Sequence, residues 1–118
     1  YSPRSVKEIN PELLKRYFTE VSVPTHDKVA YAISPAVKSL VTFRRHNLLY
    51  PAPQKSNDII FLRNVMIYFD SEAKQKVIAN LQGAMAKNGY LFISLAEHLH
   101  DVKSGLKFYK SGIFKNQE

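Results

Sequence analysis

Three segments of the second half of the chain follow one another almost without a break: DIIFL at 58–62, SEAKQKVIANLQGAMAKNG at 71–89 and YLFIS at 90–94. The first and third are short, apolar and rich in β-branched or aromatic residues, the composition of strands buried on both faces of a parallel sheet. Between them Ala73, Val77, Ile78, Leu81 and Met85 repeat at helical spacing, giving one apolar stripe. Asp70 or Ser71 is placed to cap that helix, and Glu72 complements its dipole. The KNG at 87–89 is expected to end it, with Gly89 in the left-handed conformation of a helix stop. Strand, helix, strand in this order predicts a βαβ unit with a right-handed crossover. The segment GLKFYKSGIFK at 105–115 then reads as a closing hairpin turning at Lys110-Ser111-Gly112. The fold class is therefore α/β.

The first half carries shorter signals. In NPELLKRYF, 10–18, Asn10 is a candidate N-cap, Pro11 occupies the first helical position and Glu12 the first turn. EVSVPTHDKVAYAI, 20–33, predicts two short extended pieces around a turn at Pro24-Thr25-His26-Asp27. SPAVKSL, 34–40, repeats the cap-and-proline pattern for one or two helical turns. LVTFRRHNLL, 40–49, alternates as a strand with Val41 and Phe43 on one face, and YPAPQKSN, 50–57, is a proline-rich loop.

Composition narrows the function classes. The 118 residues suffice for one domain, and the absence of cysteine excludes disulfides, thiolate nucleophiles and Cys-ligated metal. A net charge of +7 favours an anionic partner, but the basic residues are scattered and only FRRH at 43–46 is clustered. Without interleaved aromatic and basic residues no specific nucleic-acid interface is expected, and Arg44 and Arg45 read as solvent-facing. Neither a signal peptide nor a membrane-spanning run is present, so a cytoplasmic protein without membrane insertion is expected. The chain starts at Tyr1 rather than methionine, and the expectation is a piece of a longer protein.

In open α/β sheets, ligands bind outside the carboxyl ends of the strands. Arg63-Asn64 follow the 58–62 strand, Glu97-His98 follow the 90–94 strand, and Asn47 follows the 41–45 strand, so three strand ends are expected to share one rim. Tyr68 reads equally as a site residue or as a core aromatic with a satisfied hydroxyl. Glu97 reads as a general base or as an exposed acid of a strand-end loop. His46, His98 and His100 lack a third ligand in view, and no metal is expected.

In order and spacing, FRRHNLL, DIIFLRNVMIYFD, the amphipathic helix and NGYLFIS…E resemble the C-terminal half of the CheR-type chemotaxis receptor glutamate methyltransferases. RNVMIYFD is the most specific of these segments, and the resemblance runs from PELLKRYF to GIFK. It implies the C-terminal half of a Rossmann-like S-adenosylmethionine-dependent methyltransferase fold. Residues 40–118 would be that half-sheet, and 17–33 a small β-subdomain that holds a receptor peptide tail by strand addition. It implies cofactor contacts from Asn47, Leu48, Arg63 and Asn64, and a catalytic Tyr68 whose hydroxyl lies near the reacting methyl group. The implied partner is a protein substrate carrying chemoreceptor-like glutamates.

Such chemistry suits these residue types. A glutamate nucleophile is ionised at neutral pH, so the enzyme supplies alignment and water exclusion rather than a strong base. The family's glycine-rich cofactor loop and ribose-binding acid have no counterpart here, and its G-H-S-E segment reads Ser94-Leu95-Ala96-Glu97. The chain is therefore expected to bind S-adenosylmethionine weakly or not at all alone, and to be inactive alone. A half-sheet also leaves an open strand edge, so self-association is expected. The alternative reading is a catalytically degenerate protein-binding module of the same origin.

Overall fold

The computed structural model describes residues 1–23 and 28–118, which form two compact units, Tyr1–Arg44 and Arg45–Glu118. In the first unit, helix α1 (Pro3–Val6) is capped by Ser2, whose Oγ accepts from the Ser5 N–H at 3.2 Å. Helix α2 (Pro11–Tyr17) is capped by Asn10, whose Oδ1 accepts from the Glu12 N–H at 2.9 Å. Each begins with proline, which costs nothing there because the first-turn N–H has no helical partner.

Helix α2 runs directly into β1 (Phe18–Val23), which pairs antiparallel with β2 (Lys28–Ile33) from Phe18↔Ile33 to Val23↔Lys28. The turn expected at 24–27 lies outside the described residues. The main chain of Tyr1 exchanges two hydrogen bonds with Tyr31 of β2, at 2.8 and 2.7 Å. Helix α3 (Pro35–Lys38) follows, capped by Ser34.

The strand expected over 40–49 does not form. Beyond α3 the backbone is irregular and residues 41–47 are exposed, Phe43 at 87%. Alternation stabilises a strand only where a neighbour pairs with it and covers one face, and this segment has no such neighbour among the described residues.

The second unit is built on β3 (Asn57–Leu62), a 3₁₀ turn (Met66–Tyr68), α4 (Ser71–Ala84), β4 (Met85–Ile93), β5 (Leu106–Lys110) and β6 (Ile113–Asn116). The sheet order is β3-β4-β6-β5, with β3 and β4 parallel across α4 and the rest antiparallel. The expected βαβ unit and closing hairpin are both present. Asp70 caps α4, its Oδ1 accepting from the Ala73 N–H at 2.8 Å. Val77, Ile78 and Leu81 of α4 pack with Leu62, Met66, Met85, Leu91 and Ile93 as the core.

Two expectations need correction. Helix α4 stops at Ala84 rather than 89, and the left-handed residue is Asn88 (φ +66°), not Gly89. Gly89 serves close approach instead: a Cβ there would lie 2.9 Å from the Asn57 carbonyl oxygen and 3.1 Å from that of Asp58. The second correction concerns β3, which was expected to be buried on both faces. Ile60 packs on the core and Leu62 lies within it, whereas Ile59 and Phe61 are 54% and 69% exposed. Among the described residues β3 pairs only with β4, and α4 covers one face of the pair.

Candidate functional site

Where β3 ends, the chain must turn from the sheet into α4. Asn64 makes that turn at φ +60°, a conformation in which asparagine is strained less than other residues bearing a Cβ. The following 3₁₀ turn sorts its side chains inward and outward. Met66 is completely buried and Phe69 packs on the core, while Ile67 and Tyr68 face solvent, Tyr68 at 81% exposure. Tyr68 is thus no core aromatic. Apolar anchors at 66 and 69 seat the turn on the core, and Arg63, Asn64 and Tyr68 are left exposed.

A second restraint comes from the loop after β4. One carboxylate oxygen of Glu97 accepts from the N–H groups of Val65 (3.1 Å) and Met66 (2.9 Å). The other accepts from the Ser94 N–H at 3.2 Å. The loops leaving the two parallel strands are therefore joined through one side chain. Sequence reasoning weighed Glu97 as a base or an exposed acid and missed this role. Its partners lie 31 and 32 residues away, beyond any local signal.

Arg63 lines a cleft of about 230 Å³ with Phe61, Phe92, Leu95 and the β5–β6 turn. A neighbouring cavity of about 360 Å³ lies between the 94–100 loop and the hairpin, lined by Glu97, Leu99, Phe108 and Phe114 and by His98 and His100. These two imidazoles stack with centroids 5.1 Å apart. The carboxyl of Asp101 is held below its ordinary pKa, chiefly by the Ser71 hydroxyl donating to it at 3.0 Å. Its backbone hydrogen bond and the charges of Lys74 and His98 add to this. Among the described residues, no three His, Cys, Asp or Glu side chains are grouped to hold a metal ion. No described helix is long and apolar enough to cross a membrane.

Asn47 and Leu48 occupy a separate turn. The Asn47 Oδ1 accepts from the Leu49 N–H at 3.0 Å, and the Asn47 carbonyl accepts from the Tyr50 N–H at 3.1 Å. The Leu48 side chain packs on the core and its carbonyl accepts from Asn80 of α4 at 3.1 Å. The structure thus gathers Arg63, Asn64 and Tyr68 on one turn and docks Asn47-Leu48 on α4. The rim is formed by two strand ends rather than three, because the 41–45 strand is absent.

The family model for the CheR methyltransferase SAM-binding domain matches residues 1–114. Chemotaxis protein methyltransferase 1 of Pseudomonas aeruginosa is 38% identical over 96 residues, covering 80% of this chain and 33% of that protein. A probable chemotaxis protein methyltransferase of Rhizobium etli is 32% identical over 84% of this chain and 37% of its own length. The chemotaxis protein methyltransferase of Listeria innocua is 31% identical, with 84% and 36% covered. The chain spans about a third of the length of these curated relatives. With the first of two parallel strands running into RNVMIYFD and the family model matching nearly the whole of this chain, the chain belongs to the CheR methyltransferase SAM-binding domain family.

Proposed function

We propose that this chain supplies the C-terminal half of an S-adenosylmethionine-dependent protein-glutamate O-methyltransferase of chemotaxis or related signalling, and is inactive by itself. The observation that carries the reading is the clasped turn after β3, which leaves Arg63, Asn64 and Tyr68 exposed on one turn, with Arg63 lining a partly apolar cleft. Asn64 and Asn47 offer amides suited to polar edges of the cofactor, and Leu48 offers an apolar edge beside Asn47. Arg63 can hold a carboxylate bidentately, and the exposed hydroxyl of Tyr68 can donate to the carboxylate that is methylated. The cofactor, when bound, supplies the transferable methyl group. What these residues contribute is orientation and exclusion of water, with no requirement for a base.

The partners follow from the same reading: a cytoplasmic protein substrate carrying glutamates, and a peptide tail added as a strand to β1, which pairs only with β2 among the described residues. Self-association through β3 belongs to the same set. A second reading, a degenerate protein-binding module, is favoured by Leu95. It is 74% exposed in the segment that departs from G-H-S-E.

Titrating S-adenosylmethionine into the isotopically labelled chain separates the two. Weak, millimolar-range shifts confined to Asn47, Leu48, Arg63, Asn64 and Tyr68 support the methyltransferase reading. Tight binding to the chain alone, or shifts confined to other residues, overturn it.

A further inference from the structure

We propose that Glu97 is a positioning residue, a built-in anion that fixes the backbone of the turn carrying Arg63, Asn64 and Tyr68. Asn64 is left-handed at φ +60° and Val65 right-handed at φ −116°, ψ −42°. Consecutive residues of opposite hand turn successive N–H groups toward one point, forming an anion-binding concavity. Here the N–H groups of Val65 and Met66 converge on Glu97 Oε1, at 3.1 and 2.9 Å. The concavity is filled from within the chain.

Two consequences follow. Both Glu97 oxygens are engaged by backbone donors, one by the turn and one by Ser94, so this carboxylate is committed to structure and not to proton transfer. Moreover, Glu97 is half-buried, and charge-assisted bonds in such a setting are about twice as strong as neutral ones. Glu97 thereby offsets the cost of the left-handed Asn64 and sets the direction in which Arg63 and Tyr68 leave the backbone. That this direction serves S-adenosylmethionine rests on the methyltransferase reading above. The clasp itself does not.

The test uses the whole labelled chain with S-adenosylmethionine as probe. Glu97→Ala is expected to speed hydrogen exchange at Val65 and Met66 about tenfold or more, while the core amides of Ile78 and Leu91 keep their protection. The same variant is expected to abolish the ligand-induced shifts at Arg63, Asn64 and Tyr68. Glu97→Gln, which keeps one acceptor oxygen, is expected to restore protection at 65 and 66 together with those shifts, and to lose protection only at Ser94. Exchange at Val65 and Met66 within about twofold of the parent in Glu97→Ala would overturn the clasp. Should the alanine variant unfold, the glutamine variant still decides: exchange raised at Ser94, or at Val65 and Met66, supports the clasp, and unchanged exchange at all three overturns it. If the parent chain's ligand shifts fall on other residues instead, the methyltransferase reading fails while the exchange comparison still decides the clasp.

Discussion

Asp101 links the loop after β4 to the start of α4. The Ser71 hydroxyl donates to one of its oxygens at 3.0 Å, and Lys74 Nζ lies 3.7 Å from the same oxygen. Ser71 does most to lower the Asp101 pKa below its ordinary 3.8, and the backbone hydrogen bond comes second. A carboxyl whose folded pKa is depressed stabilises the fold fully above the ordinary value, and that contribution is lost as pH falls through the folded one. Thermal unfolding followed from neutral pH downward should therefore lose a component below about pH 4 that is absent in Asp101→Asn. Identical pH profiles for parent and variant would refute the linkage. The remaining acid sensitivity of the variant reports the other carboxylates. At this scale much was legible in the sequence: Asn10, Ser34 and Asp70 each act as the cap their position suggested. The binding partners of Glu97 and Asp101 were not legible, because side chains that bridge loops about 30 residues apart leave no local pattern.

The βαβ unit and the closing hairpin form where their local signals placed them, whereas the alternating 40–49 segment forms no strand and the end of α4 is set by distant groups. The start of α4 is set by the adjacent Asp70, but its end is set from elsewhere. The Asn57 amide donates to the Ala84 carbonyl at 2.8 Å, and Met85 pairs with Asn57 as the first residue of β4. Buried Asn116 donates to the Ala86 carbonyl at 3.3 Å. These bonds draw 85–89 into the sheet although their composition suits a helix. The register with β3 jumps between Asn57↔Met85 and Ile59↔Tyr90, and Gly89 lets the backbones approach there. Two glycines six residues apart should consequently behave in opposite ways. Gly89→Ala forces a Cβ against three backbone carbonyls, those of Asn57, Ala86 and Asp58, and should cost about 2 kcal/mol. Gly83 lies in the last turn of α4 with open space at its Cβ, so Gly83→Ala should gain about 0.5 kcal/mol. Urea unfolding with unchanged m-values measures both, and equal signs would contradict the close-approach role of Gly89.

For the second unit as a whole, the decisive feature is what β3 leaves uncovered. The residues of β3 and β4 alternate between two faces. Ile60, Leu62, Leu91 and Ile93 turn toward α4, while Ile59 and Phe61 pair with Tyr90 and Phe92 on the other side. Phe61 and Phe92 are in contact with centroids 5.0 Å apart, yet Phe61 stays 69% exposed. The half-sheet reading expected an open strand edge, but the periodicity that located these strands could not say that one face would also stay uncovered among the described residues, since an apolar run looks the same in a strand buried on one face or on two. An exposed, uninterrupted apolar edge strand is a template for pairing with another chain. Opposing this is the net charge of +7, which makes two copies repel at low ionic strength. The balance predicts concentration-dependent self-association that strengthens with salt, because a Debye length of about 3 Å at 1 M removes the repulsion and leaves the apolar contact. Sedimentation velocity at low and high salt should record this. Ile59→Lys with Phe61→Lys should restore a monomer at both salt concentrations without exposing the core, as both side chains already face solvent. A parent chain that sediments as a single monomeric species at every concentration and salt would rule out the β3 edge as an association surface.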